Sequence, residues 1–376
     1  MRECLYLAWQ YLRYNRMTAA VLVGAVTLIV FLPASLHVLV RHAEQHFRSR
    51  ATSTPLVAGP RGSELELVLA SVYFDKPSEQ FMRYSELTRI EDQDLGSVIP
   101  LHTRFTARDC QIVGTTARYL DVRDLQLSAG RRWNMLGECI VGAKAAKRME
   151  LRTGDRFPVS SSPAFVLDSP PLRLRVAGVL AATDTPDDEV IFVDLQTTWI
   201  LEGLGHGHTP GADHGSAEGT PFTDITEENA ASFHFHSDQE TFPITSLLLF
   251  PKNEKSKTLL LGQYFSPDET VQIVRPVEVM NLLLERIFMV RSYIFAAVAL
   301  VSLVTLSTMA LVLILSIRLR RAELITMTKI GCAQRMIASL IAMEIALILA
   351  ASVALSTLLV GVTAFFGPQL VKLFFV

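Results

Sequence analysis

An uncharged run near the start of the chain constrains its fold more than any other feature. Residues 17–40 contain no Asp, Glu, Lys or Arg across 24 positions. As a helix this run would extend about 36 Å, which exceeds the roughly 30 Å thickness of the hydrocarbon core of a bilayer. A cleaved signal peptide would have a shorter apolar region of about 7–15 residues, followed by a small-x-small cleavage site. Here Arg41, His42 and Glu44 follow directly, so the run predicts a retained transmembrane helix.

Two further apolar runs lie near the end of the chain. Residues 292–317 are uncharged, and residues 336–366 contain a single charged side chain, that of Glu344. The loop 318–335 between them carries five basic residues and one acidic residue. Because basic residues concentrate in cytoplasmic loops, this loop and the N-terminus are predicted to lie in the cytoplasm and the long middle segment outside. We therefore expect a multi-pass membrane protein.

The middle segment has the mixed composition of a globular domain, which we call the outer domain. Its length suffices for one large or two smaller hydrophobic cores. The formal net charge of −2 gives no reason to expect a nucleic-acid partner. The predicted boundaries are 1–16 for an amphipathic cytoplasmic entry helix, 17–40 for the first transmembrane helix, 41–286 for the outer domain, 287–317 for the second transmembrane helix, 318–335 for the cytoplasmic loop, 336–366 for the third transmembrane helix and 367–376 for a short tail on the outer side.

Short apolar runs separated by turn residues predict an α+β fold for the outer domain. Strands are expected at 65–72, 97–101, 111–116, 138–142, 172–179, 190–194, 245–250 and 271–276. Helices are expected at 78–90, 143–149, 195–201, 255–264 and 277–291, the last running into the second transmembrane helix. The segment 203–242 is rich in Gly and His and lacks hydrophobic periodicity, which predicts a flexible loop.

Five of the nine histidines fall within residues 206–236, in the pattern His-x-His, His, His-x-His. Imidazole and carboxylate groups together suit Zn²⁺ and related transition-metal ions. The candidate metal ligands are His206, His208, Asp213, His214, His234 and His236. The alternative is a solvated Gly/His loop that binds metal only incidentally.

The four cysteines divide between the two sides of the predicted membrane. Cys4 and Cys332 fall on the cytoplasmic side, where thiols stay reduced. Cys110 and Cys139 fall in the oxidising compartment, and the sequence leaves open either a disulfide between them or two buried free thiols.

Glu344 lies within the third apolar run, where an acidic side chain is a functional candidate by default. The alternative, which we favour, is a packing contact with a Ser or Thr of another helix, such as Ser316. The sequence contains no arrangement of Ser, His and Asp that indicates a catalytic site.

Four stretches carry a resemblance to a known family. The apolar-aromatic segment 7–16 precedes the first apolar run, and the pattern V-x-G…L…G-R occurs within 112–131. V-G, G-D and V-x-G-V stretches follow within 138–179. In the cytoplasmic loop and third apolar run, the spacing of the family pattern R-x-E-I…(L/I)-G…E is met by Arg321, Glu323, Ile330, Gly331 and Glu344. Together these stretches resemble the permease subunits of MacB/LolC/FtsX-like ABC systems, also called type VII.

The resemblance implies a non-catalytic membrane subunit that relies on a separate cytoplasmic ATPase, and the sequence contains no P-loop motif G-x-x-x-x-G-K-[ST]. It further implies a second permease copy or paralogue as partner, and transmission of ATP-driven movement to the outer domain. A loop helix capped by Gly331 can dock in a groove of the ATPase, while basic residues bind anionic lipid headgroups. The residues expected to couple to the ATPase are Arg321, Glu323, Met327, Lys329, Ile330, Gly331 and Arg335.

The chain departs from the family in two respects. Met327 stands where many relatives have a basic residue, and relatives usually have four transmembrane helices where three are predicted here. Three functional hypotheses follow. The first is an ABC permease acting on a lipoprotein, peptide or export partner. The second is an FtsX-like regulator that activates a periplasmic partner protein, and the third is a zinc-handling component that uses the His-rich segment.

Overall fold

The computed structural model describes residues 2–159, 172–207, 223–235, 237–319 and 321–375. The helices are α1 (Arg2–Tyr14), α2 (Arg16–Thr52), α3 (Glu64–Val68), α4 (Ser85–Glu91), α5 (Ala117–Val122), α6 (Ala143–Met149), α7 (Leu195–Leu201), α8 (Glu254–Gln263), α9 (Pro276–Leu319), α10 (Arg321–Lys329) and α11 (Gln334–Phe375). A π-helical turn (Leu69–Tyr73) and 3₁₀ turns (Pro186–Glu189, Ala230–Ser232 and Gln239–Thr241) complete the helical elements of these residues.

The strands are β1 (Leu56–Pro60), β2 (Met82–Arg83), β3 (Gly96–Ala107), β4 (Cys110–Thr115), β5 (Leu127–Gly130), β6 (Glu138–Val141), β7 (Arg156–Pro158), β8 (Leu172–Leu180), β9 (Ile191–Asp194), β10 (Gly205–His206), β11 (Thr223–Asp224), β12 (His234–Phe235), β13 (Pro243–Ile244), β14 (Ser246–Pro251) and β15 (Val271–Val274). The chain divides into two compact units, 1–47 with 283–376 and 48–282.

Within the described residues, three helical stretches are long and apolar enough to cross a membrane: Arg16–Arg41, Tyr293–Val312 and Gln334–Gly367. Their mean hydropathies are 2.4, 2.3 and 2.5. Long apolar helices are thus confirmed at the three uncharged runs, because an apolar run of that length is a strong signal by itself.

A large mixed sheet forms the centre of the outer domain. Its strand order is β11-β8-β6-β9-β4-β3-β14-β1-β15, and β5 and β7 also pair with β8. Strands β3, β14, β1 and β15 pair antiparallel and form what we call the antiparallel half. Strands β4, β9, β6, β8 and β11 combine parallel and antiparallel pairing and form the mixed half. The predicted α+β class is confirmed.

Each half of the sheet contributes to its own hydrophobic core. One buried cluster packs around β4, β6, β8 and β9 and includes Ile112, Phe157 and Leu174. The other packs around β1, β14 and β15 and includes Leu56, Trp199 and Leu247. The long strand β3 contributes Val98 to the core of the antiparallel half and Phe105 to that of the mixed half. Its register against β4 shifts between His102 and Phe105.

The strand expected at 65–72 is wrong, because the structure has α3 and the π-helical turn there. Ser63 is the N-cap of α3, and its hydroxyl accepts a hydrogen bond from the backbone N–H of Glu66. Ser63 and Glu66 have the S-x-x-E spacing of a capping box, a helix-start signal that outweighs the alternation of leucines after it.

The helix expected at 78–90 is wrong in its first half. Met82 and Arg83 form β2, which pairs with Ile244 and Pro243 of β13, and α4 begins only at Ser85. Met82 is buried in the antiparallel half. Tertiary pairing with a distant segment therefore overrides the local helical pattern.

Candidate functional site

The loop 318–335, between the second and third apolar runs, forms a short helix with a glycine at its end. Helix α10 ends at Lys329, and Gly331 follows with φ of +99°. The backbone N–H groups of Ile330 and Gly331 donate to the carbonyls of Thr326 and Thr328. This positive φ is the left-handed conformation that glycine adopts without strain just past a helix end. A Cβ at Gly331 would meet no atom within 4 Å.

The residues expected to couple to an ATPase lie on an exposed surface where their side chains are described. Arg321, Lys329, Ile330 and Arg335 are all exposed, and the apolar side chain of Ile330 is 79% exposed. Glu323 and Met327 lie in α10, with side chains outside the described part of the structure. An exposed isoleucine beside basic residues suits docking against another protein or the membrane surface.

Glu344 belongs to a buried stripe along α11. Leu340, Glu344, Ile348, Ser352 and Ser356 recur every four residues, and all are buried. Residues spaced by four lie on one face of a helix. This placement favours the structural role expected for Glu344, while the side chain of Ser316, its suggested partner, lies outside the described residues.

The same stripe contacts α2 through hydroxyl groups. Ser352 Oγ donates to the carbonyl oxygen of Val23 at 3.3 Å, and Ser356 Oγ donates to that of Thr27 at 3.2 Å. Thr27 Oγ1 in turn donates to the carbonyl oxygen of Ser352 at 3.5 Å. Small hydroxylated residues let membrane helices approach closely and hydrogen-bond across their interface.

The end of α2 is held by a buried arginine that the sequence analysis did not identify. Arg50 forms a two-pronged ion pair with Asp187, with Nη1–Oδ2 and Nη2–Oδ1 distances of 2.7 Å. Nη2 also donates to the Tyr119 hydroxyl at 2.8 Å, and Nε donates to the carbonyl of Val72 at 3.2 Å. Arg50 is 7% exposed, and Asp187 and Tyr119 are fully buried.

The electrostatics of this cluster keep the arginine charged and the tyrosine protonated. Burial acts to lower the pKa of Arg50, but neighbouring Tyr119 and Asp187 raise it above its ordinary value. Burial raises the pKa of Tyr119, so its hydroxyl keeps a proton and donates to Asp187 Oδ1 at 2.6 Å. Arg50 and Asp187 stand 137 positions apart in the chain, and no sequence spacing links them.

A second arginine fastens the residues just after α2. Arg123 Nη1 donates to Ser53 Oγ at 2.7 Å, and Nη2 donates to Thr54 Oγ1 at 2.6 Å. Its guanidinium also lies 5.8 Å from the centre of the Tyr119 ring, within the range of a cation–π contact. Arg50 and Arg123 therefore both contact Tyr119, and together they fix the end of α2 and the residues just after it.

The described part of the His-rich segment is not a loop throughout, because it contains a short two-stranded ribbon. Strands β10 and β12 pair antiparallel, with His206 directly opposite His234. His234 Nδ1 lies 3.0 Å from the carbonyl oxygen of Ser232. The other candidate ligands, His208, Asp213, His214 and His236, lie outside the described residues. Among the described residues, no group of three or more His, Cys, Asp or Glu could hold a metal ion.

A disulfide between Cys110 and Cys139, one of the two alternatives that the sequence leaves open, is contradicted by the strand order. Cys110 lies in β4 and Cys139 in β6, and β9 pairs between those two strands. Two strand spacings amount to about 9–10 Å, whereas bridged cysteines have Cα atoms less than about 7 Å apart. Both thiols are free and buried, and Arg148 Nη2 lies 3.0 Å from Cys110 Sγ. The alternative of two buried free thiols holds.

Comparisons with known proteins address the outer domain. The crystallised periplasmic region of MacB from Actinobacillus actinomycetemcomitans matches 64% of this chain and 96% of its own length, at 13% identity and a TM-score of 0.35. The extracellular domain of the noncanonic ABC-type transporter YknZ from Gram-positive bacteria matches 59% of this chain and 98% of its own, at 12% identity and a TM-score of 0.34. A search of curated proteins found no match.

The sequence profile of the MacB-like periplasmic core domain matches residues 20–218. The match covers more than half of the chain, from the first transmembrane helix into the His-rich segment. The chain therefore belongs to the family of ABC transporter permeases with a MacB-like periplasmic core domain.

Proposed function

We propose that this chain is the membrane subunit of an ABC transporter, in which a separate cytoplasmic ATPase drives a conformational change of the outer domain. One observation carries the proposal. The helices on either side of the outer domain, α2 and α9, each continue without a break into an apolar stretch long enough to span a membrane. Helix α2 continues from the span end at Arg41 to Thr52, and α9 begins at Pro276, well before the span starts at Tyr293.

Continuous helices of this kind suit mechanical transmission. The part of α2 beyond the span is about 16 Å long, and the part of α9 before the span is about 25 Å long. A helix is a stiff element, because a backbone hydrogen bond links every residue to the one four positions along. Movement at the cytoplasmic end of the spans would thus be carried along α2 and α9 over these distances.

The exposed loop around Gly331 is the proposed contact with the ATPase. A full-length tagged chain is expected to bring down an ABC ATPase from membranes, with the ATPase encoded beside this gene as the expected partner. Gly331→Glu should abolish the association, because it adds a side chain and a negative charge where a basic loop meets its partner. Gly331→Asn should retain it, since asparagine tolerates the left-handed conformation.

A matched control exists in the outer domain. Gly154 also has a positive φ, +95°, and a Cβ there would meet no atom within 4 Å. Gly154→Glu therefore introduces the same backbone strain and the same charge without touching the cytoplasmic loop. Unchanged recovery of the ATPase by Gly331→Glu, or equal loss with Gly154→Glu, would contradict the coupling role.

The location in a bacterial inner membrane, with the N-terminus and α10 in the cytoplasm, is part of this proposal. The distribution of basic residues supports it. The substrate class stays open among lipoproteins, peptides and export partners. The FtsX-like regulatory hypothesis requires the same fold and stays a prediction. Co-purification of a periplasmic partner protein would favour regulation over transport.

A metal-handling role is a second candidate, favoured by the register of the β10–β12 ribbon. His206 and His234 are paired residues in the register of the two strands. Titration of the full chain with Zn²⁺ should then give a binding signal that a His206→Ala/His234→Ala variant loses. His37→Ala in the first span is the control. If the double variant supports growth under zinc starvation as well as the wild type does, the metal role is contradicted.

A further inference from the structure

Arg50 contacts parts of the outer domain that belong to both halves of the sheet. The carbonyl of Val72, which accepts from Arg50 Nε, lies in the π-helical turn that packs on β3 and β14. Asp187 lies in the 3₁₀ turn Pro186–Glu189, which packs on α6 of the mixed half. The Arg50 side chain therefore donates one hydrogen bond to a turn that packs on the antiparallel half and two to a turn that packs on the mixed half.

Both partners of Arg50 are themselves fixed. Thr185 Oγ1 donates to Asp187 Oδ2 at 3.1 Å, and a Cβ at Gly142, at the end of β6, would overlap backbone atoms of Asp187 and Asp188. The π-helical turn ends at Phe74, which has a left-handed φ of 55° and packs against Tyr119 and Phe192. Asp187 and Val72 are thus rigid anchor points.

Without the contacts of Arg50 and Arg123, the chain just beyond α2 would be a hinge. Helix α2 ends at Thr52, and Ser53, Thr54 and Pro55 lead into β1 without regular structure. Such a break lets a helix swivel independently of the domain that follows it. A planar, two-pronged guanidinium–carboxylate pair resists this swivelling, because rotation of α2 breaks both of its hydrogen bonds together.

We propose that Arg50, with Asp187 and Tyr119, is a mechanical lock that makes the outer end of α2 and the outer domain move as one body. Stability alone does not explain a buried ion pair, since apolar residues of similar volume often stabilise a protein equally well. A role in orientation does explain the pair, because the two parallel hydrogen bonds between guanidinium and carboxylate fix the orientation of α2 relative to the turn that carries Asp187. The inference rests on the proposed function, in which movement of α2 is the signal that the outer domain receives.

The test measures the distance between spin labels at two exposed positions, Thr52 in α2 and Lys147 in α6, in the full chain. Wild-type protein should give one narrow distance distribution, identical with and without ATP trapped in the associated ATPase. Arg50→Met combined with Asp187→Leu should fold, because no buried charge is left unpaired. Its Thr52–Lys147 distribution should broaden, and should shift when ATP is trapped.

The control replaces a second two-pronged ion pair of the outer domain, which does not touch α2 and is more exposed than the Arg50–Asp187 pair. Arg89 and Glu269 form a two-pronged pair at 2.9 and 3.1 Å, and Arg89→Met with Glu269→Leu should leave the distribution narrow. If Arg50→Met with Asp187→Leu does not fold, Tyr119→Phe and Arg50→Lys test the same lock by removing one hydroxyl or the fork. Both should broaden the distribution.

A distribution as narrow as that of wild type in every Arg50, Asp187 and Tyr119 variant would overturn the inference. So would broadening of equal size in the Arg89 control. The broadening without nucleotide needs no ATPase, whereas the proposed function is tested separately by recovery of the ATPase with the wild-type chain. Failure of one is therefore distinguishable from failure of the other.

Discussion

The imidazole Nε2 of His102 lies 3.1 Å from Oε1 of Glu202, and the same carboxylate oxygen accepts a hydrogen bond from Arg104 at 2.8 Å. His102 is fully buried in β3, at the point where the register of β3 against β4 shifts. Its Nδ1 is buried with no hydrogen-bond partner among the described residues. Protonation of Nδ1 would therefore create a buried donor without an acceptor, which is costly.

The outer domain is expected to lose stability as the pH falls through the histidine range. Burial lowers the pKa of His102, whereas the unfolded residue titrates near about 6.5. The unfolded state therefore takes up a proton first, so stability is full above pH 6.5 and falls as pH drops towards the folded pKa. The loss is about 1.4 kcal/mol for each unit by which the folded pKa is lowered, measured from thermal unfolding of the full chain between pH 8 and pH 5.

His102→Gln separates this effect from the titration of carboxylates. Glutamine keeps an N–H donor for Glu202 and does not titrate, so the slope between pH 8 and pH 5 should flatten. Burial acts to raise the pKa of Glu202, but His102 and Arg104 hold it below its ordinary value. Stability from Glu202 is thus lost only at more acidic pH, and an unchanged slope in His102→Gln would rule out His102 as its source.

The two outer-domain cysteines are expected to be unreactive in the folded protein. Cys110 and Cys139 are fully buried, and burial raises the pKa of the Cys139 thiol, so little reactive thiolate forms. In a Cys4→Ser chain, maleimide should label the partly exposed Cys332 and reach the other two only after denaturation. Treatment with a reductant should leave the unfolding temperature unchanged, and a drop of several degrees would indicate a disulfide.

Local signals explain which elements the sequence could predict. Helices α6 and α7 have the predicted limits, 143–149 and 195–201. Each directly follows a buried strand, and α7 begins after Asp194, whose carboxylate accepts from the N–H of Gln196 at 3.0 Å. Signals of this kind lie within a few residues of the element that they specify. The exposed Gly331 at the end of α10 was predictable for the same reason.

The features that sequence reasoning missed depend on distant partners. The pairing of Met82 with Ile244 joins residues 162 positions apart, and nothing near Met82 indicates it. Arg50 stands near the end of a long helix among other basic residues, and its burial becomes visible only when Asp187 is placed beside it. The sequence could not decide between a disulfide and two free thiols for a related reason, because the order of strands in a sheet is a property of the whole fold.

Gly142 is expected to tolerate no side chain, because the backbone of Asp187 and Asp188 occupies the space of a Cβ. Gly142→Ala should push the 3₁₀ turn away from β6 and destabilise the outer domain by about 1–3 kcal/mol. Gly262→Ala in α8 is the matched control, since its Cβ would meet nothing within 4 Å. That change should stabilise the domain by about 0.4–1 kcal/mol, and equal unfolding temperatures for both variants would contradict the close packing at Gly142.

The contact between α2 and α11 is expected to depend on the small size of Ser352. Its side chain is fully buried and its Oγ lies 3.3 Å from the carbonyl oxygen of Val23. Ser352→Leu should therefore force the helices apart and cost about 1–3 kcal/mol, whereas Ser352→Ala loses only a hydrogen bond worth about 0.6 kcal/mol. Thr308→Leu on the exposed surface of α9 should be neutral. The effect of all three substitutions is measured as the resistance of the full chain to unfolding in SDS. A Ser352→Leu chain as resistant as the Thr308→Leu chain would show that the packing at Ser352 is loose.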